Sequence, residues 1–148
     1  MDIKLVKRLR EKTQAGIADC KKALEEARGD FNKAQELLRQ WGIAKASSKG
    51  DRETKAGLVE AYIHQNGTVG ALVSLGCETD FVARTEDFKY LAHELAMQIA
   101  AMNPKNVDEL LKQASIRDPK QSVDDMIKHT IAKLGENIRI VAFSRQSF

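Results

Sequence analysis

The feature that most constrains this chain is a change of hydrophobic rhythm at Gly57. Upstream, apolar residues recur at helical spacing in three short stretches; downstream, they first alternate as in a strand. Ile3, Leu5, Val6 and Leu9 stripe the first stretch, and Ile17, Cys20, Leu24 and Ala27 the second. Phe31, Ala34, Leu37, Leu38 and Trp41 stripe the third. Gly16 breaks the first connection. Gly29 suits the position just past a helix end, Asp30 suits the next N-cap, and Gly42 reads as a stop. Three short helices with tight turns can bury their stripes only against one another. The spacing therefore predicts a three-helix bundle over residues 1–43, too small to hold much core of its own. Residues 44–56, polar, basic and rich in Ala and Ser, read as a linker that can be partly helical.

The remainder, residues 57–148, predicts an α+β core domain. Val59, Ala61 and Ile63 alternate with Glu60 and Tyr62, Asn66-Gly67 is a hairpin-turn signal, and Val69, Ala71, Val73 and Leu75 alternate again. These runs read as a hairpin with the alternating apolar residues on one buried face. Phe88, Leu91, Ala92, Leu95, Ala96 and Ile99 form the strongest helical stripe, with Thr85 as N-cap and an end before Asn103-Pro104. Asn106 and Glu109 mark a short helix. Ser122 and Asp125 open another, striped by Met126, Ile127, Ile131 and Leu134 and stopped at Gly135. The tail supplies Ile138, Ile140, Val141 and Phe143, read as a third strand, because a lone hairpin is barely stable.

Several function classes are disfavoured. No apolar run approaches the roughly 20 residues of a membrane span, and the charged, alternating N-terminus lacks the apolar segment of a secretory signal. A cytoplasmic protein is expected. Cys20 and Cys77 stand far apart and form no metal or redox pair, so neither metal nor cofactor is expected. Phosphate-loop and dinucleotide glycine motifs are missing. His93-Glu94 begins like a zinc-protease helix but meets Met97 where the second histidine belongs. No enzyme is expected. Net charge is +3, split as +5 over the first 55 residues and −2 over the rest. That basic third admits nucleic acid or an acidic partner. Without a dense Lys/Arg run or interleaved aromatics, direct nucleic-acid binding is not expected.

Gly76-Cys77-Glu78-Thr79-Asp80-Phe81-Val82-Ala83-Arg84 must leave a strand and re-enter a helix near Thr85. In one reading Thr79 caps a turn while Phe81 and Val82 tuck into the core. In the other, Phe81 is a ring on a protruding turn beside anionic Asp80, a wedge for a pocket of another protein. Thr79-Asp80-Phe81-Val82-Ala83 resembles the T-D-F-V-A segment of the elongation factor Ts family. Thr13-Gln14-Ala15-Gly16-Ile17-Ala18-Asp19-Cys20-Lys21-Lys22-Ala23-Leu24 resembles its N-terminal T-G-A-G-x-x-D-x-K-x-A-L signature, and Lys133-Leu134-Gly135-Glu136-Asn137-Ile138 its K-I-G-E-N-I segment.

The resemblance implies a ubiquitin-associated-type bundle joined to a core with a three-stranded antiparallel sheet. It implies guanine-nucleotide exchange on elongation factor Tu, bound both with GDP and nucleotide-free. Thr79, Asp80, Phe81 and Val82 would enter that partner's GTPase domain, displace its Mg²⁺ and loosen its phosphate loop. Gly16, Ile17, Asp19, Cys20, Lys21 and Leu24 would hold a second face. Three departures stand out. Gln14 replaces a Gly, Gly76 replaces an Asn, and the core is single and short, which suggests a homodimer. The alternative reading is a general protein-interaction module without exchange activity.

Overall fold

A computed structural model describes residues 2–148 of the chain; Met1, assigned above to the first unit, lies outside them. The chain runs α1 (Ile3–Thr13), α2 (Ile17–Glu26), α3 (Phe31–Ser47), β1 (Ala56–Ile63), β2 (Val69–Cys77), α4 (Asp80–Ala83), α5 (Glu86–Met102), α6 (Val107–Lys112), α7 (Val123–Leu134) and β3 (Ile138–Ser147). The fold class is α+β.

The first three helices bury Val6, Leu9, Cys20, Ala23, Leu24, Ala27, Ala34 and Leu38 against one another, with Trp41 and Phe31 at the margin. Their ends follow the local chemistry. The Asp2 side chain accepts from the Lys4 N–H and Asp30 from Lys33, each satisfying an orphan donor of a first turn. Gln14 closes α1 in the left-handed region (φ 57°), its N–H donating to Arg10 O. A side chain with a Cβ is held there at the cost of roughly 1 kcal/mol relative to Gly.

Gly42 does not stop α3. The helix continues to Ser47, so the first residues of the stretch read as a linker, 44–47, are helical. A mid-helix Gly costs about 1 kcal/mol against Ala. The helix runs on because its face packs against the second core. Gly42 lies against Ala132 of α7, where an added Cβ would sit 3.5 Å from the alanine methyl, and Ala46 is fully buried within the second core. Arg39 reaches Asp125 of α7 at 3.9 Å. Helix α3 thus belongs to both units and seats the bundle on the core.

The second core is built on one antiparallel sheet in the order β1-β2-β3. Phe88, Leu91, Ala92, Leu95, Ala96 and Ile99 of α5 are all buried, as the stripe predicts, and they cover one sheet face with help from Val123, Ile127 and Ile131 of α7. Thr85, Asn106 and Ser122 cap their helices, and Gly135 ends α7 at φ 76°. Buried Gln98 ties the connection after α6 to α5. Its amide donates to Gln113 Oε1 and Ala114 O, and its carbonyl accepts from Ile116 N–H.

One expectation is overturned. In β1 it is Leu58, Glu60 and Tyr62 that point toward the helices, while Val59 and Ile63 are each 66% exposed. The pairing decides this phase: Leu58, Glu60 and Tyr62 stand opposite Leu75, Val73 and Ala71, the buried set of β2. Since side chains alternate with period two, the neighbour's phase dictates the face. The outer sheet face therefore carries Val59, Ala61, Ile63, Leu72 and Val141 in the open.

Candidate functional site

Strand β2 ends at Cys77, opposite Ile138 of β3. The next two backbone N–H groups, of Glu78 and Thr79, have no strand beyond Ile138 to pair with. A side chain takes the place of that strand. Glu136 Oε1 accepts from Glu78 N–H at 3.1 Å and Thr79 N–H at 3.0 Å, and Glu136 Oε2 accepts from Thr79 Oγ1 at 2.8 Å. The Thr79 hydroxyl in turn accepts from Val82 N–H, capping the single turn of α4. Both hydrogen-bonding capacities of that hydroxyl are used, which fixes its direction.

Within α4, Val82 and Ala83 are buried against the sheet and α5, and they anchor the turn from below. Phe81 points the other way and is 81% exposed. Of the two readings of the segment, Val82 follows the tucked one and Phe81 the protruding one. Asp80 beside it is open to solvent and faces Arg84 at 3.7 Å. An ion pair so exposed contributes little to stability. Beneath the corner, Cys77 is fully buried and its thiol bonds Thr79 O at 3.1 Å. Burial, then the nearby Glu136 carboxylate, push that thiol above its ordinary range, so it is a packing group rather than a nucleophile.

Gly76 has its own reason here. An added Cβ would lie 3.1 Å from Thr54 Oγ1 and 3.3 Å from a methyl of Val141, so the incoming chain of β1 and the bulge of β3 close over this position. The asparagine that the resemblance puts at this position would have to push both back.

The N-terminal candidates divide differently. Gly16 is the N-cap of α2, with no side chain to bond the helix. Ile17 is about half exposed, Lys21 is exposed, and Asp19 bonds Lys45 Nζ of α3 at 2.9 Å. Cys20 and Leu24, by contrast, belong to the bundle core: Cys20 is fully buried, and Leu24 is nearly so, at the wall of an open surface pocket with Leu5 and Arg28. Burial also raises the Cys20 thiol. An open cleft of about 610 Å³ separates the Gly16 end of α2 from α7, with Lys12, Asp19, Trp41, Asp118 and Lys133 among its walls. The Gly16 and Phe81 regions thus sit on separate units and are not brought together into one pocket.

Sequence reasoning missed Glu136 as a member of the corner. The only signal was its place inside a quoted family segment; nothing in a lone glutamate after Gly135 reveals two N–H groups waiting for it.

Comparisons with known proteins identify the family of the chain. The family model described as "Elongation factor TS" matches residues 78–147, the stretch from the corner to the last strand. The protein "Elongation factor Ts" of Fervidobacterium nodosum is 42% identical, over 95% of this chain and 94% of its own length. That of Oleidesulfovibrio alaskensis is 44% identical over 95% and 94%, and that of Thermotoga maritima 43% over 95% and 92%. The first of these alignments spans 186 positions against the 148 residues here, so that relative carries at least 38 positions without a counterpart in this chain. The chain belongs to the elongation factor Ts family.

Proposed function

We propose that this translation elongation factor binds elongation factor Tu, with GDP and without nucleotide, and promotes release of the GDP. It acts by binding and performs no chemistry on its partner. The observation that carries the reading is Phe81, a large apolar ring held out into solvent on a turn that buried Val82 and Ala83 and the bonded Thr79 hold in place. Exposing such a ring costs about 2 kcal/mol relative to burial. A partner pocket that takes it up recovers that free energy, which is the usual basis of an interface anchor.

The physical logic is negative coupling. Nucleotide and exchange factor each bind the GTPase, each lowers the other's affinity, and linkage makes the effect reciprocal. Shifting the nucleotide equilibrium about 10⁴-fold requires about 5.5 kcal/mol of differential binding. The Phe81 ring supplies part of that, and displacement of the partner's Mg²⁺ with strain in its phosphate loop supplies the rest. Asp80 contributes beside the ring, and Thr79 and Val82 hold the turn. Ile17 and Lys21, around the N-cap Gly16, hold a second face of the same GTPase domain, while Asp19 is engaged by Lys45 and Cys20 and Leu24 support them from within.

The test is release of a fluorescent GDP analogue from elongation factor Tu. Phe81→Ala slows stimulated release and Asp80→Ala slows it several-fold less; undiminished release by the Phe81 variant removes the wedge. We further propose that the open sheet face, with Val59, Ile63, Leu72 and Val141 exposed, pairs with a second copy. Sedimentation that finds monomer alone at working concentration, unchanged by Leu72→Lys, rejects the homodimer. No helix among the described residues is long and apolar enough to cross a membrane; we place the protein's work in the cytoplasm, with its partner.

A further inference from the structure

We infer that Glu136 is a positioning residue for the Phe81 corner, an inference that rests on the wedge reading above and names the group that makes the wedge effective. The corner lies where the sheet runs out of strand, and its backbone would otherwise exchange its hydrogen bonds with water. A single carboxylate holds it instead, with three donors at 2.8–3.1 Å. Charge-assisted bonds of this kind are about twice as strong as neutral ones. The hold is reciprocal, because Glu78 Oε2 accepts from Asn137 N–H at 3.3 Å, so each of the two adjoining segments clasps the other's backbone. Arg52 stands 3.7 Å from Glu78 Oε2 and offsets the accumulation of negative charge. Buried Asn137 extends the clasp to the chain leaving α3, its amide donating to Arg52 O at 2.8 Å and Gly50 O at 3.3 Å.

The bonds of Glu136 go to its own chain, and it acts through Thr79. With the carboxylate in place, the Thr79 hydroxyl is aimed and the α4 turn that carries the ring is closed before any encounter. Without it, the corner samples open forms, and apparent affinity falls in proportion to the fraction still competent. Once bound, the partner itself selects the competent form. The signature is therefore a rise in half-saturating concentration with the maximal release rate kept, opposite to removal of the ring, which lowers the maximal rate.

The experiment is GDP-analogue release from elongation factor Tu at increasing concentrations of wild type, Glu136→Ala, Glu136→Gln and Phe81→Ala, with amide hydrogen exchange on each. Glu136→Ala is expected to raise half-saturation about tenfold with the maximal rate within about twofold. It should also lose protection at the Glu78 and Thr79 amides while β2 keeps its own. Glu136→Gln, which still offers an acceptor oxygen, is expected to return half-saturation to within about threefold of wild type. Unchanged half-saturation, or retained protection at Glu78 and Thr79 in Glu136→Ala, overturns the inference. So does a loss that merely tracks the unfolded fraction and that Gln does not rescue. A Phe81→Ala variant with undiminished release instead removes the wedge and, with it, the purpose of the brace.

Discussion

The two segments that most resemble a known family are built in opposite ways. In the N-terminal bundle, the stretch from Gly16 to Leu24 spends its apolar members on the interior: Cys20 and Leu24 are buried, and only Ile17 among its large apolar side chains faces out. At the corner after β2, the largest apolar member, Phe81, faces out, while small buried Val82 and Ala83 and the bonds of Thr79 do the holding. The bundle too leaves apolar side chains outside, Ile3 at 80% and Ile17 at about half exposure, so the contrast lies in direction: Cys20 and Leu24 face the neighbouring helices, whereas Phe81 faces solvent. The core domain already buries Phe88, Leu91, Leu95 and Ile99 beneath its sheet and can leave a ring unsatisfied. A recurring residue pattern is thus no guide to surface or interior until the packing demand around it is known.

The comparison can be broken most decisively at Leu24. Leu24→Ala is expected to destabilise the bundle by about 3 kcal/mol, from lost burial and an unfilled cavity. Thermal or denaturant unfolding measures this. An unaltered midpoint with weakened partner binding would make Leu24 a contact residue and erase the contrast. Next comes Phe81→Ala, expected to leave stability within about 0.5 kcal/mol while reducing stimulated GDP release on the order of a hundredfold. A clear loss of stability would place the ring with the core.

Smaller changes sharpen the picture within the bundle. Gln14→Gly relieves a left-handed backbone and is expected to stabilise by about 0.5–1 kcal/mol, read as a shift in the unfolding midpoint; no shift would mean that Gln14 gains elsewhere what its backbone loses. Lys45→Ala removes the partner of Asp19 on an exposed surface, and a change in stability of about 0.5 kcal/mol or less is expected. A larger one would show that the ion pair, rather than apolar packing, sets how α2 lies against α3.

Much of the architecture was legible because it rests on local rules. Stripe spacing located every major helix, and the residues expected to cap them, Asp30, Thr85 and Ser122, do so by bonding the first turn. What was misread required knowledge of a distant neighbour. Gly42 looks like a stop because a glycine inside a helix is unfavourable, and only the packing of the helix beyond it, with Ala46 buried in the second core, shows why the helix runs on. The faces of β1 were inverted for the same kind of reason: both sets of its side chains include apolar residues, so alternation alone gave no phase.

Residue order alone therefore determined the chemistry of this chain: a small helical bundle ahead of a sheet-and-helix core, and an aromatic ring beside a carboxylate between a strand end and a helix. Tertiary structure decided which of those residues are offered and which are consumed. It left Ile3 of the first stripe in solvent, opened Val59 and Ile63, and brought Glu136 across 57 residues of chain to bond Thr79. Periodicity and capping act within a few residues and can be read from the order of the chain. Burial and hydrogen-bond satisfaction depend on what the rest of the chain brings alongside, and that is settled only when all the elements pack together.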